Sequence, residues 1–204
     1  MNNIESILFL DGKPHYDLVY EILSDFIDED IDYPLDFKEL CRKKGWGIEE
    51  YTWFNKEFMD VSEDGFSTYK NGKYTIYYNS GQNPKRIRFT FAHEIGHIVL
   101  YHHLKTQIPL LARNGIIEND CLEKEANCFA RNLLAPAYLV RNLNKNNIDS
   151  LSEIFNVSKL FMSIRMNFLH TDYCRLKHSE STEMRFDDIA SIVNDFECDG
   201  EYFS

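Results

Sequence analysis

The chain has 204 residues, of which 44% are hydrophobic and 14% aromatic, and its formal net charge is −11. That is the length of one domain with room for a small appendage, and enough apolar side chains for a core. The acidic balance argues against general binding to DNA or RNA, whose phosphates need a basic face, and no apolar stretch is long enough to span a membrane. The five cysteines, Cys41, Cys121, Cys128, Cys174 and Cys198, are scattered and form no C-x-x-C pair. They predict reduced thiols and a cytoplasmic protein rather than a disulfide framework. No basic residue precedes the short apolar run near Met1, so the start is unlike a signal peptide.

Residues 16–30 place Leu18, Val19, Ile22, Leu23, Phe26 and Ile27 on one helical stripe. Pro34 ends that helix, and Asp28-Glu29-Asp30 reads as a solvated turn. Residues 35–44 predict a second short helix, with Gly45 as its C-cap and basic residues in its last turn. Residues 46–79 read as sheet. Asn71-Gly72 between two β-favouring runs is a strong hairpin signal, a type I′ turn. Gly81, Asn83 and Pro84 break the sheet, and a strand just ahead of the next helix suits the edge of a substrate cleft.

That next helix, from about residue 84 to 103, carries His93-Glu94-Ile95-Gly96-His97. Residues four apart lie one turn apart on nearly the same helix face. His93 and His97 can therefore reach one metal ion, with Glu94 beside them to handle a proton. Zinc is the expected ion, because three protein ligands leave one position for water, whose pKa falls to about 7. Phe89, Phe91, Ala92, Ile95, Ile98 and Val99 surround the motif and predict a buried helix.

Residues 105–119 contain Pro109, Asn114 and Gly115 and read as a loop over or beside the site. Residues 120–134 form another helix, stopped by Pro136, with Leu122, Ala126, Phe129, Ala130 and Leu133 as its core stripe. A third metal ligand comes from one of two places. His103 has the spacing of an extended H-E-x-x-H-x-x-G-x-x-H pattern, but Leu100 stands where that pattern turns on glycine. A glutamate of the 120–134 helix is the preferred alternative, leaving His102 and His103 facing solvent or at the helix end. Glu123 and Glu125 flank the core stripe on opposite edges, and periodicity does not choose between them.

Residues 148–169 read as helix, tight turn at Asn156, and helix capped by Ser158. This is helix-turn-helix-like. A reading helix needs basic or amide groups aimed at bases and phosphates, and this one offers Lys159, Arg165 and Asn167 among large apolar residues. Packing or protein recognition is the preferred reading over DNA binding. The acidic tail, 173–204, contains a short candidate helix at 186–194 and suits docking, partner binding or inhibition, with a poorly ordered terminus the commoner case.

Three segments together resemble the ImmA/IrrE family of cytoplasmic metallopeptidases. They are Lys85-Arg-Ile-Arg-Phe-Thr-Phe-Ala-His-Glu-Ile-Gly-His97, Glu123-Lys-Glu-Ala-Asn-Cys-Phe-Ala-Arg-Asn-Leu-Leu-Ala-Pro136, and the strand Tyr74–Asn79. The resemblance implies an α+β, minimal zincin-like fold, with helices packed on a small β-sheet. It implies zinc held by His93, His97 and Glu125, with Glu94 as general base. It also implies cleavage of a helix-turn-helix transcriptional repressor, as in a mobile element, a prophage, or a stress or toxin–antitoxin system. The domain expectation is a peptidase domain over 1–140, the helix-turn-helix-like segment packed on it over 141–172, and the tail over 173–204. A catalytically silent zinc-fold binding module is the alternative, and a DNA-binding protein a weaker one.

Overall fold

The computed structural model describes residues 13–28, 35–105, 117–143 and 147–176. Among these the chain is α+β, with helices packed on a three-stranded sheet. The order is α1 (Tyr16–Asp28), α2 (Phe37–Lys44), β1 (Gly47–Tyr51), α3 (Lys56–Met59), β2 (Gly65–Lys70) and β3 (Lys73–Asn79). Then come α4 (Pro84–Val99), α5 (His102–Lys105), α6 (Ile117–Leu134), α7 (Ala137–Asn142), α8 (Ile148–Ile154) and α9 (Lys159–Arg175). The turn expected at 29–30, most of the loop expected at 105–119 and the tail helix expected at 186–194 lie outside the described residues.

The hairpin forms at Asn71-Gly72. Both residues take positive φ, 54° and 76°, which a type I′ turn requires. β2 pairs antiparallel with β3 from Lys70↔Lys73 to Gly65↔Tyr78. β1 runs parallel to β3 on its other side, so the order is β1-β3-β2 and β2 is an edge strand. The stretch 46–79 is not all sheet: a single turn of helix, α3, lies between β1 and β2. α2 is capped at both ends. Asp36 accepts from the N–H groups of Lys38 and Glu39, and Gly45 takes the left-handed conformation at φ 71°.

α4 starts on Pro84, with the Asn83 side chain accepting from the Lys85 N–H at 2.9 Å. Every residue from Thr90 to Ile98 is buried, because the sheet covers one side of the helix and α6 the other. The expected stripe of α6 is fully used: Leu122, Ala126, Phe129, Ala130 and Leu133 are all buried. The two helices cross at Gly96. A Cβ there would sit 3.2 Å from both Cα and O of Ala126 and 3.3 Å from Cβ of Phe129. Any side chain there would force α6 to give by a few tenths of an ångström, and glycine avoids this.

The motif helix ends sooner than the sequence predicts. It stops at Val99, and Tyr101 takes a left-handed conformation at φ 57°. This break re-aims the chain, and α5 carries His102 and His103 inward. The expectation that both face solvent or the helix end is therefore corrected: they are 0% and 5% exposed.

The α8–α9 pair has the expected turn, with Asn156 at φ 50° and the Ser158 hydroxyl accepting from the Phe161 N–H. α9 continues past residue 169 to Arg175 and packs on α7 and α8. One buried ion cluster locks it in place. Asp172 accepts from Arg165 at 2.7 Å, from Arg131 of α6 at 2.7 and 2.9 Å, and from the Tyr20 hydroxyl of α1 at 2.6 Å. Arg165 also donates to the backbone carbonyl of Ala135. Arg165 is thus a buried structural residue, not a nucleic-acid contact, and Lys159 is paired with Asp149 at 2.9 Å.

Candidate metal centre

α4 and α6 bring three donor side chains together. The Nε2 atoms of His93 and His97 lie 3.0 Å apart. The Glu123 carboxylate faces both, with one oxygen 3.1 Å from His93 Nε2 and the other 3.3 Å from His97 Nε2. All three donor atoms fall within 4.8 Å of one another. Burial works against the charge on Glu123, but its bonds to His93 and His97 outweigh burial and hold its carboxyl well below the usual range. Two imidazole nitrogens and an ionised carboxylate converging on one point are a donor set that suits a divalent metal such as zinc.

Glu125, the third ligand that the resemblance implied, is not brought to this point. Two residues along a helix is a turn of about 200°, so Glu123 and Glu125 face away from each other. One Glu125 oxygen lies 3.0 Å from His102 Nε2 and 3.3 Å from Lys105 Nζ, and the other accepts from the backbone N–H of His15 at 2.7 Å. Burial opposes its charge, yet the bonds from His102 and His15, with the Lys105 ammonium, draw its carboxyl down to about 2. His102 Nδ1 lies 2.8 Å from His97 Nδ1. Burial pushes the His102 imidazole down to about 3, so it is neutral. Among the described residues, Glu125 thus connects to the site through His102 and His97, as the outer end of a supporting chain.

The outer nitrogen of His93 has its own support, since Nδ1 is 3.1 Å from the Asn127 side-chain oxygen. Glu123 and Asn127 are four residues apart on α6, hence on one face. Glu94 is buried beside the histidines and accepts from the Ser67 hydroxyl of β2 at 2.7 Å. His103 Nε2 stands 3.0 Å behind Ser67. Ser67 has one hydrogen, and Glu94 takes it, so His103 must donate to Ser67. The edge strand thus holds the glutamate in place from outside the motif.

Of the expected residues, the structure assembles His93 and His97 with Glu94 adjacent, and brings Glu123 rather than Glu125 to the pair. His103 lies outside the donor cluster. Ser67, Asn127, His102 and Lys105 were not singled out as supports by the sequence. Asn127 alone carried a signal, being one turn along α6 from Glu123.

The model of the IrrE N-terminal-like domain, peptidase family M78, matches residues 53–167, more than half of the chain. The chain belongs to this family. The M78 match spans both helices of the donor cluster and runs on through α8 into α9. It supports a metallopeptidase-type function, and M78 peptidases depend on a metal. No curated protein matches the chain. No helix among the described residues of this M78 member is long and apolar enough to cross a membrane.

Proposed function

We propose that this chain is a cytoplasmic zinc endopeptidase in which His93, His97 and Glu123 hold the ion and Glu94 is the general base. The observation that carries the reading is the convergence of three donor atoms within 4.8 Å of one another, two from the helix that bears Glu94 and one from α6. When bound, the ion polarises the scissile carbonyl and lets water give up a proton near neutral pH. Glu94 takes that proton and later delivers one to the leaving amine. Ser67 orients the Glu94 carboxylate for both transfers, and His103 orients Ser67. With its Nε2 given to a metal, His97 keeps its proton on Nδ1 and donates to His102, which donates through Nε2 to Glu125. Asn127 fixes the His93 ring in the same way. These outer partners hold both imidazoles in one tautomer and one orientation.

The substrate in this reading is a helix-turn-helix repressor. The net charge of −11 suits a basic protein partner and works against a DNA-binding role. Residues 1–140 would then be the catalytic domain, with 141–172 packed on it. The test is Glu94→Gln. It is expected to keep the full metal content and lose all cleavage of the target repressor. A variant that still cleaves removes Glu94 from the mechanism.

A further inference from the structure

The hydrogen-bonded chain behind His97 does not end on a side chain. From His97 it runs to His102 over 2.8 Å, and from His102 to Glu125 over 3.0 Å. Glu125 then accepts the backbone N–H of His15 over 2.7 Å, across 110 residues of sequence. His97, His102 and Glu125 are all buried, so the inner links lie away from water, where a hydrogen bond is stronger and a missing one costs more.

The protons on this chain have one consistent arrangement when His97 Nε2 is a metal ligand. His97 then carries its proton on Nδ1 and donates to His102 Nδ1. A neutral His102 that accepts at Nδ1 has its own proton on Nε2, and donates it to Glu125. Glu125, as a carboxylate, only accepts, and a backbone N–H only donates. The His15 peptide is the fixed end of the series, because a main-chain N–H has neither rotamer nor tautomer. Lys105 Nζ also reaches Glu125, at 3.3 Å, but a lysine on a flexible stem follows the carboxylate rather than placing it.

The same residue is tied on its other side. The His15 carbonyl accepts the Val19 N–H at 3.1 Å, in the first turn of α1. α1 packs against α6, and its Tyr20 hydroxyl is held by Asp172. The Glu125 carboxylate therefore lies at the N-terminal end of α1, where the helix dipole favours a negative charge.

We propose that the His15 backbone N–H is a positioning group of the metal centre: it fixes the Glu125 carboxylate and, through His102, the tautomer and orientation of His97. Metal binding is thereby coupled to the seating of the His15 peptide against α6. The coupling is reciprocal: unseating the peptide weakens the hold on the metal, and an occupied centre holds the peptide down. The inference rests on the reading of His97 as a ligand, and its test reads binding rather than cleavage.

The test uses zinc and the full chain. His15→Pro removes the N–H donor just ahead of α1, where proline breaks no helical hydrogen bond. Chelator competition is expected to show its zinc affinity lowered about three- to tenfold, the effect of one hydrogen bond. In a Glu125→Ala background the same change is expected to have no effect, because His15 acts through Glu125. A second readout needs no variant. On zinc loading, exchange of the His15 amide with solvent is expected to slow by a similar factor beyond any change at the Val19 amide, whose bond belongs to α1. Unchanged zinc affinity in His15→Pro overturns the proposal. So does an equal loss in the Glu125→Ala background, which would show damage to α1 rather than a lost link. Equal slowing of the His15 and Val19 amides overturns it as well. A wild type that takes up no zinc removes the metal reading itself, and the proposal with it.

Discussion

Asp172 is the most sensitive single point in the packing of α9. It is fully buried and accepts four hydrogen bonds, from Tyr20, from Arg131 twice and from Arg165. Arg165 is equally buried, and the other bonds its guanidinium makes are to neutral oxygens, of Ala135 and Asn132. Asp172→Ala therefore leaves a buried cation without its counter-charge. Removing one partner of a buried ion pair costs about 3–5 kcal/mol. At roughly 2–4 °C per kcal/mol for a chain of this size, the melting temperature is expected to fall by about 6–20 °C. Urea unfolding followed by circular dichroism measures this, with an unchanged m-value as the check that only stability moved. Arg165→Met/Asp172→Leu is expected to cost less than Asp172→Ala alone, because it removes the buried charge together with its partner. A loss below about 1 kcal/mol for Asp172→Ala would refute the argument and mean that water or rearrangement satisfies Arg165.

The same group sets an acid limit. Burial raises the Asp172 carboxyl, but its bonds to Arg131, Tyr20 and Arg165 outweigh burial and hold it below the unfolded value of 3.8. Its ionisation thus contributes stability that is complete above about pH 5 and lost as the pH falls below about 4. Thermal melts from pH 7 down to pH 3 are expected to show a steeper acid loss in the wild type than in Asp172→Asn. Gly96→Val puts a branched side chain where even a Cβ would be 3.2 Å from the Ala126 backbone. It is expected to cost about 1–3 kcal/mol and to weaken metal binding by moving α6, which carries Glu123, away from α4. A stable variant with unaltered metal affinity would show that the helices can separate without disturbing the cluster.

What could be read from the sequence was what depends on short-range spacing. The i, i+4 histidines, the Asn-Gly hairpin, the core stripe of α6 and the Ser158 cap all follow from helix and turn geometry within a few residues. What could not be read depends on where one element meets another. Glu123 and Glu125 are equally placed on the edges of a stripe, and only the crossing of α6 over Gly96 decides which edge meets the histidines. The inward turn of His102 and His103 depends on one left-handed residue, Tyr101, which is not a glycine and so gives no local signal. Arg165 looked like a surface cation because its acceptor, Asp172, lies two turns further along a helix expected to have ended. The support of Glu94 by Ser67 joins residues 27 positions apart and belongs to the tertiary structure alone.

The most direct test of the account is metal content and affinity in the wild type, Glu123→Gln and Glu125→Gln, by elemental analysis and chelator competition. The wild type is expected to hold one equivalent of zinc, and Glu123→Gln to lose it. Glu125→Gln is expected to keep the ion with affinity reduced about 10–100-fold, the usual effect of removing an outer-sphere partner. A Glu125→Gln protein empty of metal beside a fully loaded Glu123→Gln protein would contradict the assignment and return Glu125 to the ligand position.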